Sequence, residues 1–206
     1  MGSHRLQALC AAHPKNQQIE FRENGHTYSV DGLEMQTSVT SIVSSLFGKF
    51  YPRSTAERIV NSPKYADGPY AGMRAEEIVE AWSLKGRLAS ERGTKLHFSI
   101  HLHLNGFQVQ DQSPEFTLYL DWLHRHPDWT LLRSEMAIAS VKLGMVGGSI
   151  DALFLNENGD IILVDWKRSS KDFQASKGWG RGAVAHLPDC PLSRYWVQTH
   201  LYMYIL

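Results

Sequence analysis

The sequence predicts a mixed domain of the α/β (α+β) class, on three observations. Segments of helical period come first, an apolar hairpin pattern lies at Gly147–Lys167, and a last helical pattern runs over Trp196–Leu206. The 206 residues suffice for one sizeable core, whereas two domains would each be small. The expected organisation is therefore a tail at 1–17, flexible or a cloning remnant, and a single domain at 18–206. That domain has a hairpin-and-helix part over 18–92 and a core over 93–206. The chain stops inside the apolar pattern Tyr204-Ile205-Leu206, which reads as a cut from a longer protein or a helix that ends abruptly.

Each element has its local reason. Alternation over Ile19–Val30 around Asn24-Gly25 predicts a small hairpin. Thr37 or Ser38 caps a short helix leading into Leu46-Phe47. Asn61-Ser62-Pro63 and Asp67-Gly68-Pro69 are loops after a short helix at Thr55–Val60. The Lys49–Lys64 stretch is basic, as a solvated face or a DNA contact would be. Met73–Leu84 is a helix ended by Gly86, and Gly93–Leu104 is a second one stopped by Asn105-Gly106. Ser113 caps and Pro114 opens a helix through His124. A strand at Thr130–Ile138 precedes the hairpin, whose runs Ile150–Leu155 and Ile161–Val164 flank Asn156-Glu157-Asn158-Gly159.

Composition narrows the function classes. Lys+Arg and Asp+Glu both total 21, so net charge carries no nucleic-acid signal, and a polyanion groove would need clustered bases. One such cluster is the glycine-rich loop Arg168–Arg194, with Arg168, Lys171, Lys177, Arg181 and Arg194 against Asp172 and Asp189, and Trp179 between glycines. It reads as a flexible surface loop or as a track for a backbone with a stacking ring. Two distant cysteines, Cys10 and Cys190, make no four-cysteine iron–sulfur site and no disulfide framework, so an intracellular setting is expected, with nucleus, mitochondrion and cytoplasm left open. No apolar run reaches bilayer length and no secretory pattern is present, so no membrane partner is expected.

The charge inside the hairpin is the informative part. Asp151 interrupts the first apolar run, while Asp165 and Lys167 close the second and point the same way, opposite to Trp166. Two carboxylates hold a hard divalent cation, and cation and ammonium together neutralise charge on a phosphodiester. Gly148-Ser149-Ile150-Asp151, a spacer, then Ile162-Leu163-Val164-Asp165-Trp166-Lys167 resembles the core of the PD-(D/E)xK nuclease superfamily. More narrowly it is similar to the branch of the RecB and AddB nuclease domains, lambda-type exonucleases and the mitochondrial genome maintenance exonuclease. The resemblance implies a restriction-endonuclease-like core, a small mixed sheet flanked by helices.

It also implies roles. In Arg92-Gly93-Thr94-Lys95-Leu96-His97 the G-T-x-x-H pattern makes His97 a metal ligand and Thr94 a substrate contact. Asp151, Asp165 and the Trp166 carbonyl would complete a Mg²⁺ or Mn²⁺ site, and Lys167 would orient or help deprotonate the attacking water. Glu135, the acid of the preceding strand, is an edge-strand surface residue or a group near the metal. Gln198 and Tyr202 in Val197-Gln198-Thr199-His200-Leu201-Tyr202 would contact substrate phosphate and support the metal-ligating strands, and Arg168 would contact substrate. His26-Thr27-Tyr28-Ser29-Val30 with Ser38-Val39-Thr40-Ser41-Ile42 is a looser likeness to mitochondrial-exonuclease-like relatives. The four iron–sulfur cysteines of AddB-type relatives are missing.

The expected function is a metal-dependent DNA nuclease, DNA favoured over RNA, and an exonuclease acting on single-stranded or end-bearing DNA. An endonuclease of a mobile element or virus is the runner-up. A nucleic-acid-binding module without catalysis is a second alternative, and a zinc-stabilised helical domain using His97, His101 and His103 a third. Protein partners are not specified by any motif.

Overall fold

The computed structural model describes residues 18–22, 27–169, 172–176 and 178–206. The tail at 1–17 with Cys10, the Asn24-Gly25 turn with His26, and Lys171 and Lys177 lie outside them. The chain forms a mixed α/β structure in two compact units. One comprises the described residues up to Gly48 together with Leu96–Leu206, and the other Lys49–Lys95.

In the first unit, β1 (Ile19–Arg22), β2 (Thr27–Val30) and β3 (Leu33–Glu34) make a small antiparallel sheet. The larger sheet is ordered β4 (Thr37–Ser38), β6 (Val146–Leu155), β5 (Thr130–Ser140), with β7 (Ile161–Val164) also paired to β6. The hairpin is as expected. Asn156 Oδ1 accepts from the backbone of Asn158 at 3.0 Å and Asp160 at 2.8 Å, and Gly159 takes φ +85°, a conformation that favours glycine. The parallel pairing of β4 with the start of β6 has no counterpart in the sequence reading. Two residues carry too short a pattern to register as a strand.

Helix α1 (Val39–Ser45) starts where Ser38 caps it, with Ser41 N–H donating to Ser38 Oγ at 3.1 Å. Its Val39 and Val43, with Phe47 just beyond its end, pack against Ile138, Val146, Ile150 and Leu153 of the sheet and Tyr202 of the last helix. A second cluster joins Leu96 and Ile100 to Phe116 and Tyr119 of the helix Pro114–His124, with Trp166 packed on it. That cluster seats the residues after β7 against two helices.

The second unit holds α2 (Pro52–Val60), turns over 61–74 and the first part of α3 (Ala75–Leu104). Trp82 organises it, donating from Nε1 to Tyr70 Oη at 2.7 Å and meeting the ring of Phe50 at 5.4 Å. The helix α3 corrects the sequence reading, which expected two helices, Met73–Leu84 and Gly93–Leu104, parted at Gly86. It is continuous over 30 residues. Neither Gly86 nor Gly93 takes a positive φ, and each costs the helix only about 1 kcal/mol. Good helix formers lie between them, with an i,i+4 pair from Arg87 to Glu91 at 3.9 Å. The real stop is Gly106, at φ +81°, where Phe107 N–H donates to Leu102 O and Gly106 N–H to His103 O.

Helix α4 spans Pro114–His124 under its Ser113 cap, as expected. Helix α5 runs Pro191–Ile205, five residues earlier than the apolar pattern at Trp196 suggested, because Pro191 supplies the first turn. Among the described residues no helix is long and apolar enough to cross a membrane.

Candidate metal centre

Strand register builds the site. In the β5–β6 ladder Ser134 faces Ala152 and Met136 faces Ile150, so Glu135 lies across from Asp151. In the β6–β7 ladder Ala152 faces Val164, and one step further sets Asp165 across from Asp151. Residues directly opposite in an antiparallel pair share a face. Three acids thus form one row over three adjacent strands, with Asp151 of the buried central strand in the middle.

His97, on α3, closes over this row. Its Nδ1 lies 3.5 Å from Asp151 Oδ1 and 3.9 Å from Glu135 Oε1. Its Nε2 donates to the Trp166 carbonyl at 2.9 Å, which leaves Nδ1 as the nitrogen that faces the acids. His97, Glu135 and Asp151 each offer one ligand atom within 4.8 Å of the others. Trp166 N–H donates to Asp151 Oδ2 at 2.6 Å. The Trp166 backbone therefore orients both the histidine and the central acid.

Asp165 is placed differently from that trio. Its Oδ2 is paired with Lys167 Nζ at 2.6 Å, and its buried Oδ1 has no hydrogen-bond partner. Burial raises its pKa above the ordinary aspartate range against the lowering effect of Lys167. A buried carboxylate oxygen without a donor is costly unless a proton or cation reaches it.

Glu135 is the residue whose importance the sequence understated. Burial, then the charges of Asp151 and Asp165, push its pKa up to about 7, although 38 % of its side chain is exposed. Its backbone is at φ +49°, a conformation that costs a non-glycine residue about 1–3 kcal/mol and recurs where geometry serves a site. For His97, burial acts to lower the pKa, but the Asp151 hydrogen bond and the charges of Asp151 and Glu135 outweigh it and the net shift is upward.

The other expected residues separate into groups. Gln198 Nε2 donates to Tyr202 Oη at 2.8 Å, and both are buried. A Cβ at Gly148 would come 2.8 Å from Tyr202 Cε1, so the pair backs the start of β6 and keeps little surface for a substrate. Arg168 is held by Glu115 of α4 at 2.6 Å. Arg194 is committed to Asp189 at 2.7 Å and to Gly48 O at 3.1 Å, a structural clamp. Thr94 is an exposed residue of the second unit. His101 and His103 do not converge with His97, since they engage Ser134 and Tyr119. Trp179 is exposed, on a loop pinned by its bridge to Pro188. Tyr195, not singled out from sequence, lies under Lys167 with its ring centre 5.5 Å from Nζ. Its place one helical turn before Gln198 was the available signal.

Comparison of the chain with protein-family models, curated proteins and solved structures returns no match to any of them.

Proposed function

We propose that this chain is a Mg²⁺- or Mn²⁺-dependent nuclease hydrolysing phosphodiester bonds of DNA. The observation that carries this reading is the acid row Glu135–Asp151–Asp165 with the His97 imidazole over it and the Lys167 ammonium at its end. The donor set suits a hard or borderline divalent cation, with oxygens for Mg²⁺ and one imidazole that favours Mn²⁺. The partnerless Asp165 Oδ1 and the raised pKa of Glu135 fit a site whose negative charge is meant to be neutralised by a ligand.

His97, Glu135 and Asp151 would hold the ion, with Asp165 beside them. When bound, such an ion neutralises charge on the scissile phosphate and lowers the pKa of water. Lys167 places its Nζ at the end of the row, where it can donate to a phosphoryl oxygen as negative charge builds there. Asp165 aims that ammonium, and the Tyr195 ring below limits where the lysine stem can go. The Trp166 backbone fixes the His97 tautomer and one oxygen of Asp151. Gln198 and Tyr202 support the strand from behind.

The preference for an exonuclease acting on single-stranded or end-bearing DNA rests on the RecB-like resemblance. The test is cleavage of labelled DNA in Mn²⁺. Chelator should abolish it, and Asp165→Ala and Lys167→Ala should each remove it while DNA binding persists. Cleavage by Lys167→Ala at the parental rate contradicts the assigned role. Comparing linear with covalently closed circular single strands separates exonuclease from endonuclease action.

A further inference from the structure

In an extended strand, neighbouring side chains point to opposite faces. Ser134 and Glu135 do not obey this, because both meet α3, whose His97 and His101 lie four residues apart on one helix face. Glu135 Oε1 approaches His97 Nδ1 at 3.9 Å, while Ser134 Oγ lies 2.8 Å from His101 Nδ1. The left-handed backbone of Glu135 is what breaks the alternation.

Such a break needs support, since a left-handed backbone at a non-glycine residue is strained. Ser134 supplies the anchor. Asn105 Nδ2 donates to Ser134 Oγ at 2.9 Å and to the His101 carbonyl at 2.7 Å, one amide hydrogen for each. The serine hydrogen is then free for His101 Nδ1, which accepts it. Burial lowers the pKa of His101 and so keeps it neutral for that role. Asn105 is itself fixed, being the residue before the Gly106 stop of α3.

We propose that Ser134, His101 and Asn105 are positioning residues that hold the strained backbone of Glu135 and so deliver its carboxylate to the divalent cation. This deepens the nuclease reading and rests on its metal site. It gives the helix stop at Asn105-Gly106 a functional task and His101 a role distinct from ligation.

The test is Mn²⁺ binding by calorimetry, with no DNA present, on the whole chain. Ser134→Ala should weaken binding by about tenfold or more, the usual effect of losing a group that orients a ligand. Ser134→Thr, which keeps the hydroxyl, should bind nearly as the parent does. In a Glu135→Gln background, Ser134→Ala should add little, because its target is gone. A purely structural role for Ser134 would leave the two effects additive, and that result overturns the proposal. So does Ser134→Ala binding as tightly as the parent, or Glu135→Gln doing so. Failure of the parent itself to bind Mn²⁺ is a different outcome, which removes the metal site and the brace with it. Should Ser134→Ala not fold, Asn105→Ala takes its place in the same cycle.

Discussion

Replacing Lys167 by alanine isolates Asp165, and the consequence for stability can be worked out. Only 6 % of the Asp165 side chain is exposed, its Oδ1 has no partner, and Lys167 at 2.6 Å is its neutralising neighbour. Breaking a buried pair from one side costs roughly 3–5 kcal/mol. Lys167 is 26 % exposed, so water screens part of the interaction and about 2–3 kcal/mol is the better figure. In metal-free buffer at pH 8 that lowers the urea midpoint by about 1 M for ordinary slopes. The loss should depend on pH in one direction. The Asp165 pKa is already raised by burial above its ordinary 3.8, and loss of the ammonium raises it further. A carboxyl with a raised folded pKa contributes its full stability below the unfolded pKa and loses it as pH rises through the folded one. The gap between Lys167→Ala and parent should therefore narrow from pH 8 toward pH 5. Adding Asp165→Asn to Lys167→Ala should recover most of the loss at pH 8. Equal midpoints for parent and Lys167→Ala at pH 8, or no recovery in the double variant, refute the reasoning.

Two further outcomes are expected. Glu135 and His97 both have raised pKa values, so the metal-free protein should lose stability as pH rises through the Glu135 pKa of about 7. Thermal melts of Glu135→Gln in chelator should show a flatter decline than the parent; an unchanged slope means the Glu135 carboxyl is not perturbed. Gly86→Ala and Gly93→Ala should each stabilise the protein by about 0.5–1 kcal/mol, since the added Cβ meets no atom within 4 Å and α3 is unbroken there. Destabilisation by either in urea titration would mean that the helix breaks at that glycine.

Parts of this site were legible in the sequence for reasons that can be named. The Asn156–Gly159 turn sets the β6–β7 register, and that alone puts Asp151 opposite Asp165. Glu135 was visible as the acid of the preceding strand, but its place in the row was not. It depends on the irregularity between Leu131 and Arg133, on the turn after Ser140 and on a positive φ at a glutamate. No local pattern signals any of these. The glycines of α3 misled because glycine both ends helices and sits inside them at modest cost. The link from Ser134 to His101 and Asn105 spans about thirty residues and exists only once the C-terminal end of α3 meets β5. Gln198 and Tyr202 are singled out by the resemblance to the nuclease branch, while their burial behind β6 comes from packing that no local spacing encodes.

The central claim is that one divalent ion belongs against the Asp151 carboxylate, and a crystal grown with Mn²⁺ tests it most directly. Anomalous scattering should show a single strong peak in contact with Asp151, Glu135 and His97 Nδ1, and Asp151→Asn crystals should lose it. No peak at that place in Mn²⁺, or one that survives Asp151→Asn, would contradict the account.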